Sequence, residues 1–445
     1  MTPDSLRQDA SQILQAALKA ADPAWAVKQA LRLQGGALTL DGRSLDLARF
    51  DRIVAVGAGK AGAPMAQALE EVLGDRLAGG LVVVKDGHGG ATRKIRVIEA
   101  SHPVPDERGV AAGQEIAAFL QANAGPRTLV ICLLSGGGSA LLVSPAPGLS
   151  LADKQETTRL LLACGADIAE INAIRKHLSQ LKGGGLARLA GESQVASLIV
   201  SDVVGDRLDT IASGPTVPDQ TTWADCREIL TRHGVWQQTP EPVRRRIQEG
   251  LDGKLPDTPK PGQAQLAKVM NLIVAGNRQA LDHAAATAGQ LGYAPLILSS
   301  SIEGETCDIA RMHAAMAREV RESGHPLPPP CCLISGGETT VTLNASPGKG
   351  GRNQEFALAC ALDLAGLAGV LALSAGTDGT DGPTDAAGAQ ADGDTVSRAK
   401  ELGLEPRRFL AGHDAYNFFE PLGDLLITGP TRTNVMDIRL MLIGQ

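Results

Sequence analysis

The amino-acid sequence predicts an α/β protein of two domains, and three observations support this fold class. Short apolar runs alternate with helical patterns from about residue 50 onward, which is typical of βα units and of largely parallel sheets covered by helices. The chain has 445 residues, which exceeds one ordinary domain. Clusters of glycine follow several of the apolar runs. Because ligands bind beyond the carboxyl ends of parallel strands, we expect these clusters to form the functional site.

The predicted boundary between the domains lies near residue 260. Residues 1–260 contain the runs RIVAVG, LVVVKDG, IRVIEA, TLVICLL and VASLIV, which predict an N-terminal Rossmann-like domain with a doubly wound, mainly parallel sheet. Residues 239–265 are rich in proline and charge, as linkers are. Residues 261–445 include the run NLIVAG and end with DLLITGPTRTNVMDIRLMLIG. We interpret the latter as a hairpin, so the C-terminal α/β domain is expected to have a mixed sheet with an antiparallel edge.

The composition disfavours several classes of protein. A net charge of −7 and an aromatic content of 2% provide neither the basic field nor the stacking surfaces that nucleic-acid binding uses. No apolar run approaches the roughly 20 residues of a membrane-spanning helix, and the N-terminus lacks the pattern of a signal peptide. The seven cysteines show no metal-ligand spacing. We therefore expect a soluble, cytoplasmic protein with reduced core cysteines and no membrane or nucleic-acid partner.

The first glycine loop (residues 57–62) follows a predicted strand and precedes a helix. It contains Gly57, Gly59 and Gly62 in G-x-G-x-x-G spacing, so its backbone N–H groups and the helix N-terminus favour an anion. Asp86 follows the next strand, which completes a dinucleotide fingerprint and leaves a reductase open. Lys60 lies inside the loop and offers a compact positive charge to phosphate. The alternative is a solvated loop lysine.

Two further glycine-rich segments predict anion binding. The second glycine loop (residues 135–139) follows a buried strand, and its N–H groups are expected to converge on one anion. It consists of Ser135, Gly136, Gly137, Gly138 and Ser139. In the third glycine loop (residues 182–185), Lys182 precedes three glycines. Lys182 is a candidate phosphate ligand, although glycines in this position are also common as helix caps.

Acidic residues follow other predicted strands. Asp202 and Asp206 end one of them, and Mg²⁺ binds through one or two carboxylates plus substrate phosphates. An Asx-turn or a helix cap is the alternative for such aspartates. In the second half, Gly336 and Gly337 precede Glu338, which places a carboxylate behind a predicted glycine nest.

The remaining candidates are basic and acidic loop residues of the second half. Arg352 and Asn353 follow two glycines at a predicted helix start, and an arginine there can bind phosphate or carboxylate through two hydrogen bonds. The acidic loop (residues 375–385) contains three aspartates, of which Asp378 is the first. Its spacing differs from that of a calcium-binding loop, and its small, acidic residues favour a magnesium and phosphate site.

Together these motifs resemble the class II glycerate 2-kinases, whose second half carries the MOFRL region. The motifs that carry the resemblance are GAGKAG, SGGGSALL, KGGGLA, SDVVGD with SGPTVPD, ISGGETTV, GGRNQE, GTDGTDGPTDAAG and TGPTRTNV. They occur in order from about residue 50 to the end of the chain. The resemblance assigns residues 1–260 to the glycerate kinase N-terminal type and residues 261–445 to the MOFRL type.

The resemblance implies ATP-dependent phosphorylation of the 2-hydroxyl of D-glycerate, with Mg²⁺, giving 2-phosphoglycerate and ADP in a cleft between the two domains. It implies that Lys60 and Arg352 line this cleft, and that Asp202, Glu338 and Asp378 are its acidic positions. Two alternatives stay open at this point, an NAD(P)H-dependent hydroxypyruvate reductase and a non-enzymatic sensor of nucleotides or sugar phosphates. The sequence leaves the oligomeric state, monomer or homodimer, open.

Overall fold

The structure, a computed structural model, describes residues 2–40 and 42–445. The chain divides into two compact units. The first unit is Pro23–Val274, and the second unit combines Ala275–Gln445 with the residues up to Asp22. Along the chain, the first unit is therefore inserted into the second. Within the described residues, no helix is long and apolar enough to cross a membrane.

Helix α1 (Pro3–Ala21) precedes the first unit in sequence but packs within the second. Its buried face includes Leu6, Ile13 and Leu14. Arg7 forms ion pairs with Asp392, at 2.7 Å, and with Asp424. The sequence prediction places this segment with residues 1–260, because amphipathic periodicity indicates that a face is buried without indicating which unit buries it.

The first unit consists of a small antiparallel sheet, a large sheet and helices. Its helices are α2 (Pro23–Ala30), α3 (Gly62–Leu73), α4 (Glu107–Asn123), α5 (Gly138–Leu141), α6 (Leu151–Ala163), α7 (Ile168–His177), α8 (Gly185–Leu189), α9 (Trp223–Arg232) and α10 (Glu241–Leu251). Its strands are β1 (Leu31–Gln34), β2 (Ala37–Leu40), β3 (Arg43–Asp46), β4 (Arg52–Ala58), β5 (Leu77–Lys85), β6 (Ile95–Ala100), β7 (Thr128–Leu134), β8 (Gln194–Val200) and β9 (Val269–Ala275). Strands β1, β2 and β3 form the antiparallel sheet.

The large sheet has the strand order β6-β5-β4-β7-β8-β9. The pairings from β6 through β8 are parallel, and this order is that of a doubly wound sheet, which confirms the predicted fold class. The order reverses between β4 and β7, and doubly wound sheets bind ligands at this switch point. The core strands β4 and β7 are almost wholly buried, which explains their continuous apolar sequences.

One strand prediction is wrong. The run NLIVAG lies largely in β9, which is the edge strand of the first sheet and does not open a second one. In the structure the boundary between the two units lies after Val274, whereas the sequence prediction places it near residue 260. The proline- and charge-rich segment contains α10, whose buried Val243 and Ile247 belong to the core of the first unit. Composition alone does not distinguish such a surface helix from a linker.

The second unit has a mixed sheet covered by helices. Its helices, besides α1, are α11 (Asn277–Gln290), α12 (Thr306–Ser323), α13 (Arg352–Asp363), α14 (Thr395–Glu401), α15 (Pro406–Ala411) and α16 (Ala415–Phe419). Its strands are β10 (Ala294–Ile302), β11 (Cys331–Gly337), β12 (Val370–Gly376), β13 (Gly388–Asp392), β14 (Leu425–Leu426) and β15 (Asp437–Ile443).

The sheet of the second unit has the order β10-β11-β15-β12-β13-β14. Strands β10 and β11 are parallel, and the other neighbours are antiparallel, which confirms the predicted mixed sheet. The predicted hairpin is wrong, because β14 pairs with β13 whereas β15 lies between β11 and β12. Every residue of β15 is buried, as expected for a central strand with both faces covered.

The packing of α1 leads to a stability prediction. Ile13 is fully buried in the second unit, so Ile13→Ala should lower the free energy of unfolding by about 2–5 kcal/mol because it leaves a cavity. Urea denaturation measures this change. The exposed Gln12 of the same helix provides the control, and Gln12→Ala should stay within about 0.5 kcal/mol of the parent. Equal stability of the two variants would contradict the docking of α1.

Candidate active site

The first and second glycine loops interlock at the switch point of the large sheet. Strands β4 and β7 are neighbours, with Ala58 opposite Leu134. Ser135 Oγ accepts a hydrogen bond from the backbone N–H of Ala61 at 3.0 Å, and the N–H of Lys60 donates to the carbonyl of Gly136 at 2.8 Å. The two loops therefore form one rigid backbone surface.

Glycine is required in the first glycine loop for two different reasons. Gly59 has a φ of 140°, and a Cβ there would lie 2.2 Å from Ser135 Oγ, so the two loops could not approach each other. At Gly57 a Cβ would meet the carbonyl oxygen of Leu133 at 2.2 Å, and at Gly62 it would meet Val82 Cγ1 at 2.5 Å. Gly57 and Gly62 thus have packing roles, and their predicted contact with phosphate stays a prediction.

Lys60 lies beside Gly137 of the second glycine loop. A Cβ at Gly137 would lie 3.3 Å from Lys60 Cγ and 3.0 Å from His102 Nε2, and Gly137 has a left-handed φ of 80°. Burial and the nearby charge of Lys60 lower the pKa of His102. His102 thus has a place beside the predicted site that sequence reasoning missed, because a lone histidine in a loop carries no motif.

The third glycine loop begins helix α8. Gly184 is the N-cap of α8, whereas Leu178 is the C-cap of the preceding helix α7, so this glycine caps a helix at its start and not at its end. Lys182 is only 3% exposed, and its Nζ donates to the carbonyl of Ser139 at 2.8 Å. Burial, together with the charges of Lys154 and Arg175, lowers the pKa of Lys182 well below its ordinary value.

A segment with a strained backbone, Ala212 and Ser213, packs against the second glycine loop. Ala212 and Ser213 have left-handed φ angles of 51° and 60°, which cost non-glycine residues of order 1–3 kcal/mol each. Ser213 Oγ bonds Ser139 Oγ at 2.9 Å and donates to Asn172 Oδ1 at 3.0 Å. A Cβ at Gly138 would lie 2.8 Å from Ala212 Cβ. Gly138 therefore permits the close approach of this segment.

In the second unit, Arg352 is held by two carboxylates. Its Nε and Nη2 donate to the two oxygens of Asp437 at 2.8 and 3.0 Å, and its Nη1 donates to Glu338 Oε1 at 2.8 Å. Burial alone lowers the pKa of Arg352, but the hydrogen bonds and charge of Asp437 outweigh it and raise the pKa. About one third of the Arg352 side chain stays exposed.

Asp437 lies at the point where the strands of the second unit present their ends. It is the first residue of β15 and pairs with Gly337 at the end of β11 and with Gly376 at the end of β12. Its side chain is fully buried and also accepts from Arg439 and Asn353, both at 3.0 Å. Sequence reasoning missed Asp437, because the motif TGPTRTNV ends two residues before it.

The structure gives Asn353 a structural role, and its predicted contact with substrate or phosphate stays a prediction. Asn353 is 1% exposed, and its amide bonds Asp381, Asp437 and Ser374. The carboxylate of Asp381 also accepts from the N–H groups of Asn353 and Gln354 at 3.1 and 2.8 Å, at the start of α13. Burial raises the pKa of Asp381 to about 6, although these N–H groups lower it. Asn353 thus fixes the helix start from which Arg352 projects.

The predicted glycine nest before Glu338 is part of a strand. Gly336 and Gly337 belong to β11 and pair with Ile438 and Asp437. A Cβ at Gly336 would lie 1.8 Å from Asn277 Oδ1. Glycine here allows close packing, and the loop interpretation is wrong because the apolar run before it continues as a strand to Gly337.

The three carboxylates predicted to hold Mg²⁺ have different surroundings. A Cβ at Gly136 would lie 2.1 Å from Asp202 Oδ2, so Asp202 lies against the second glycine loop. Glu338 bonds Arg352 as described. Asp378 Oδ1 accepts from the N–H and Oγ1 of Thr380 at 3.0 and 3.2 Å, which is an Asx-turn. Across residues 2–40 and 42–445, no group of three or more His, Cys, Asp or Glu is arranged to hold a metal.

Comparisons with known proteins agree with these motifs. Residues 9–248 match the family model described as a domain of unknown function (DUF4147), and residues 331–437 match the MOFRL family. A relative from Agrobacterium vitis that carries a hydroxypyruvate reductase name is 44% identical over 99% of this chain and 95% of its own length. The glycerate 2-kinase of Pyrococcus horikoshii is 40% identical over 98% of this chain and 97% of its own length. The crystal structure of the glycerate kinase of Thermotoga maritima is 40% identical, covers 99% of this chain and 100% of its own, and superposes with a TM-score of 0.90.

The buried position of Asp437 leads to a second stability prediction. Asp437→Asn should lower the free energy of unfolding by about 3–5 kcal/mol, because it leaves Arg439 buried without its carboxylate. Guanidinium denaturation followed by circular dichroism measures this change. Asp308, whose side chain is 71% exposed and pairs with Arg311, is the matched control, and Asp308→Asn should cost less than about 1 kcal/mol. A small cost for Asp437→Asn would show that the second unit does not depend on this carboxylate.

Proposed function

Because the chain belongs to the family of glycerate kinases that carry a MOFRL region, we propose that it transfers the γ-phosphoryl group of ATP to the 2-hydroxyl of D-glycerate. The products are 2-phosphoglycerate and ADP. The observation that carries the proposal is the pair of interlocked glycine loops at the switch point, with Lys60 beside them. Because the N–H groups of Gly59, Lys60, Ala61 and Gly62 already donate within the protein, the groups proposed to contact phosphate are the Lys60 ammonium and the second glycine loop.

Lys60 and Arg352 are the proposed charge-stabilising groups. Phosphoryl transfer depends mainly on positioning and charge neutralisation, and an arginine directed at the transition state is worth about 10³–10⁵ in rate. Asp437 and Glu338 fix three donors of Arg352, which orients the guanidinium before substrate arrives. Asp437 is therefore a positioning residue. The Lys60 ammonium supplies a point charge for the phosphate or for the glycerate carboxylate.

In the proposed step, the 2-hydroxyl oxygen of glycerate bonds to the γ-phosphorus while the bond from that phosphorus to the β–γ bridging oxygen breaks. ADP leaves with the electron pair of the broken bond, and the hydroxyl proton passes to a carboxylate. We assign this carboxylate to Asp202, which lies against the second glycine loop.

Mg²⁺ is part of the proposal. The oxygen donors of Glu338 and Asp378 suit a hard cation that binds one or two carboxylates plus substrate phosphates. When bound, the cation neutralises charge on the phosphate oxygens.

The seven cysteines of the chain are all free, which fits a reducing, cytoplasmic location.

The alternative reductase activity is less supported by the geometry. A dinucleotide fingerprint needs an acidic residue for the ribose hydroxyl, and Asp86 is the candidate. Both of its oxygens accept from Arg108, at 2.7 and 2.8 Å. In this arrangement Asp86 serves as a surface ion-pair partner.

The reaction itself is tested by incubating the protein with ATP, Mg²⁺ and D-glycerate and identifying the product by phosphorus NMR. We expect 2-phosphoglycerate with equimolar ADP. A parallel incubation with NADH and hydroxypyruvate should leave the NADH absorbance unchanged. Consumption of NADH without phosphorylation of glycerate would replace the kinase by the reductase.

A variant tests the role of Arg352. Arg352→Ala should lower kcat at least about a hundredfold, because the transition-state charge loses its arginine. Arg352→Lys should recover only part of this loss, since lysine cannot reproduce the bidentate contact with Asp437. The control is Arg278→Gln, which removes an arginine that is 57% exposed and pairs with Asp282. Near-normal kcat of a folded Arg352→Ala variant would remove Arg352 from the mechanism.

A further inference from the structure

The first unit contains a cavity of about 940 Å³ next to the second and third glycine loops. Its walls come from the loop after β6, from the second glycine loop and α5, from α6 and α7, and from Lys182. Gln155 of α6 donates to the carbonyl of Pro105 at 2.8 Å, which ties two of these walls together. Gly137 and Ser139 lie in its lining, so the cavity is continuous with the proposed phosphate-binding surface.

One side of the cavity carries three cations from three different elements. Lys154 comes from α6, Arg175 from α7 and Lys182 from the third glycine loop. The Nζ atoms of Lys154 and Lys182 donate to the backbone carbonyls of Leu178 and Ser139, both at 2.8 Å. Among the described residues, the three cations have no carboxylate partner.

Lys176, the neighbour of Arg175 in sequence, differs from the three cations because it has a carboxylate partner. Lys176 follows Arg175 on α7, is more deeply buried than Arg175 and pairs with Asp219 at 3.3 Å. Partly buried positive charges are costly unless they are paired. Burial, and after it the charges of Arg175 and Arg246, lower the pKa of Lys154 to about 7.

The cavity also has apolar lining residues. Val104 and Leu162 lie in the lining and are 62% and 61% exposed, and the lining residue Val143 is buried. Exposed large apolar side chains at the mouth of a cavity are typical of a ligand site. A cavity of this size exceeds what a three-carbon acid fills, and it lies in the upper part of the range of roughly 300–1,000 Å³ for larger ligands.

We propose that this cavity is the nucleotide subsite, in which the phosphates of ATP or ADP contact Lys154, Arg175 and Lys182, and the adenosine lies against Val104, Val143 and Leu162. The assignment rests on the proposed kinase activity, since it deepens that activity by naming where its nucleotide binds. Ser139 and Gly137 connect this subsite with the glycine loops, so the terminal phosphate reaches the backbone surface described above.

Isothermal titration calorimetry of the full chain with ADP, and separately with inorganic pyrophosphate, tests the cationic side. Lys154→Met keeps the length of the side chain and removes its charge, so Kd for both ligands should rise about tenfold, the loss of one charged hydrogen bond. Lys28→Met is the matched control. It removes the same charge from α2 of the same unit, at a side chain that is 42% exposed and pairs with Glu71, and Kd should stay within about twofold of the parent.

A second variant tests the apolar side without disturbing the core. Leu162→Ser should raise Kd for ADP about fivefold, because part of an apolar contact is lost, and should leave Kd for pyrophosphate unchanged. In steady-state kinetics, Lys154→Met should raise KM for ATP in parallel with Kd for ADP and leave KM for glycerate unchanged. Unaltered ADP binding by Lys154→Met, or a rise in KM for glycerate alone, would overturn the assignment.

The two proposals fail in distinguishable ways. ADP binding that depends on Lys154 and Leu162, in a protein that forms no phosphoglycerate, would support the subsite and refute the kinase. Formation of 2-phosphoglycerate together with ADP binding that is indifferent to both variants would support the kinase and refute the subsite.

Discussion

The second unit depends on one buried carboxylate. Asp437 lies between the ends of β11 and β12, and it accepts hydrogen bonds from Arg352, Arg439 and Asn353. A carboxylate withdrawn from water is tolerated only when its oxygens are paired in this way. The same contacts connect the central strand β15 to the start of α13, so Asp437 orients Arg352 and also contributes to the packing of the sheet. The Nε and Nη1 atoms of Arg439 have no hydrogen-bond partner among the described residues, which leaves Asp437 as the group that compensates its charge.

The first unit holds its site by close backbone approach instead. Glycine at positions 59, 137 and 138 lets three segments of chain come nearer than any side chain would allow. The strained residues Ala212 and Ser213 are part of this arrangement, and the hydrogen bonds of Ser213 to Ser139 and Asn172 compensate for their backbone conformations. The backbone of these loops is fixed by its own hydrogen bonds, since the N–H groups of Lys60 and Ala61 donate to Gly136 and Ser135 of the neighbouring loop.

The sequence predicted those features that are determined by residues close together in the chain. The doubly wound sheet and the first glycine loop could be predicted because apolar runs and glycine spacing are encoded within a few residues of each other. Asp437 could not, since its partner Arg352 lies 85 positions away and nothing near it in sequence indicates the pairing. Lys154 lies on helix α6, and lysines on helices usually face solvent. Its position in a cavity depends on α7 and on the third glycine loop, which supply the other cationic lining residues. Gly336 and Asn353 have close contacts with the protein itself, and these packing contacts were not predictable from the glycine and helix-start motifs, whereas their predicted ligand roles stay predictions.

The insertion of the first unit into the second has a consequence for synthesis on the ribosome. Helix α1 emerges before the whole of the first unit, yet the sheet of the second unit lacks its central strand until β15 has been made. The first unit has all its strands by Ala275 and is free to fold while translation continues, since domains generally fold as units during synthesis. The nascent chain therefore carries the apolar face of α1 uncovered until α11, its main packing partner, has been made, and closing this contact across the whole first unit costs loop-closure entropy.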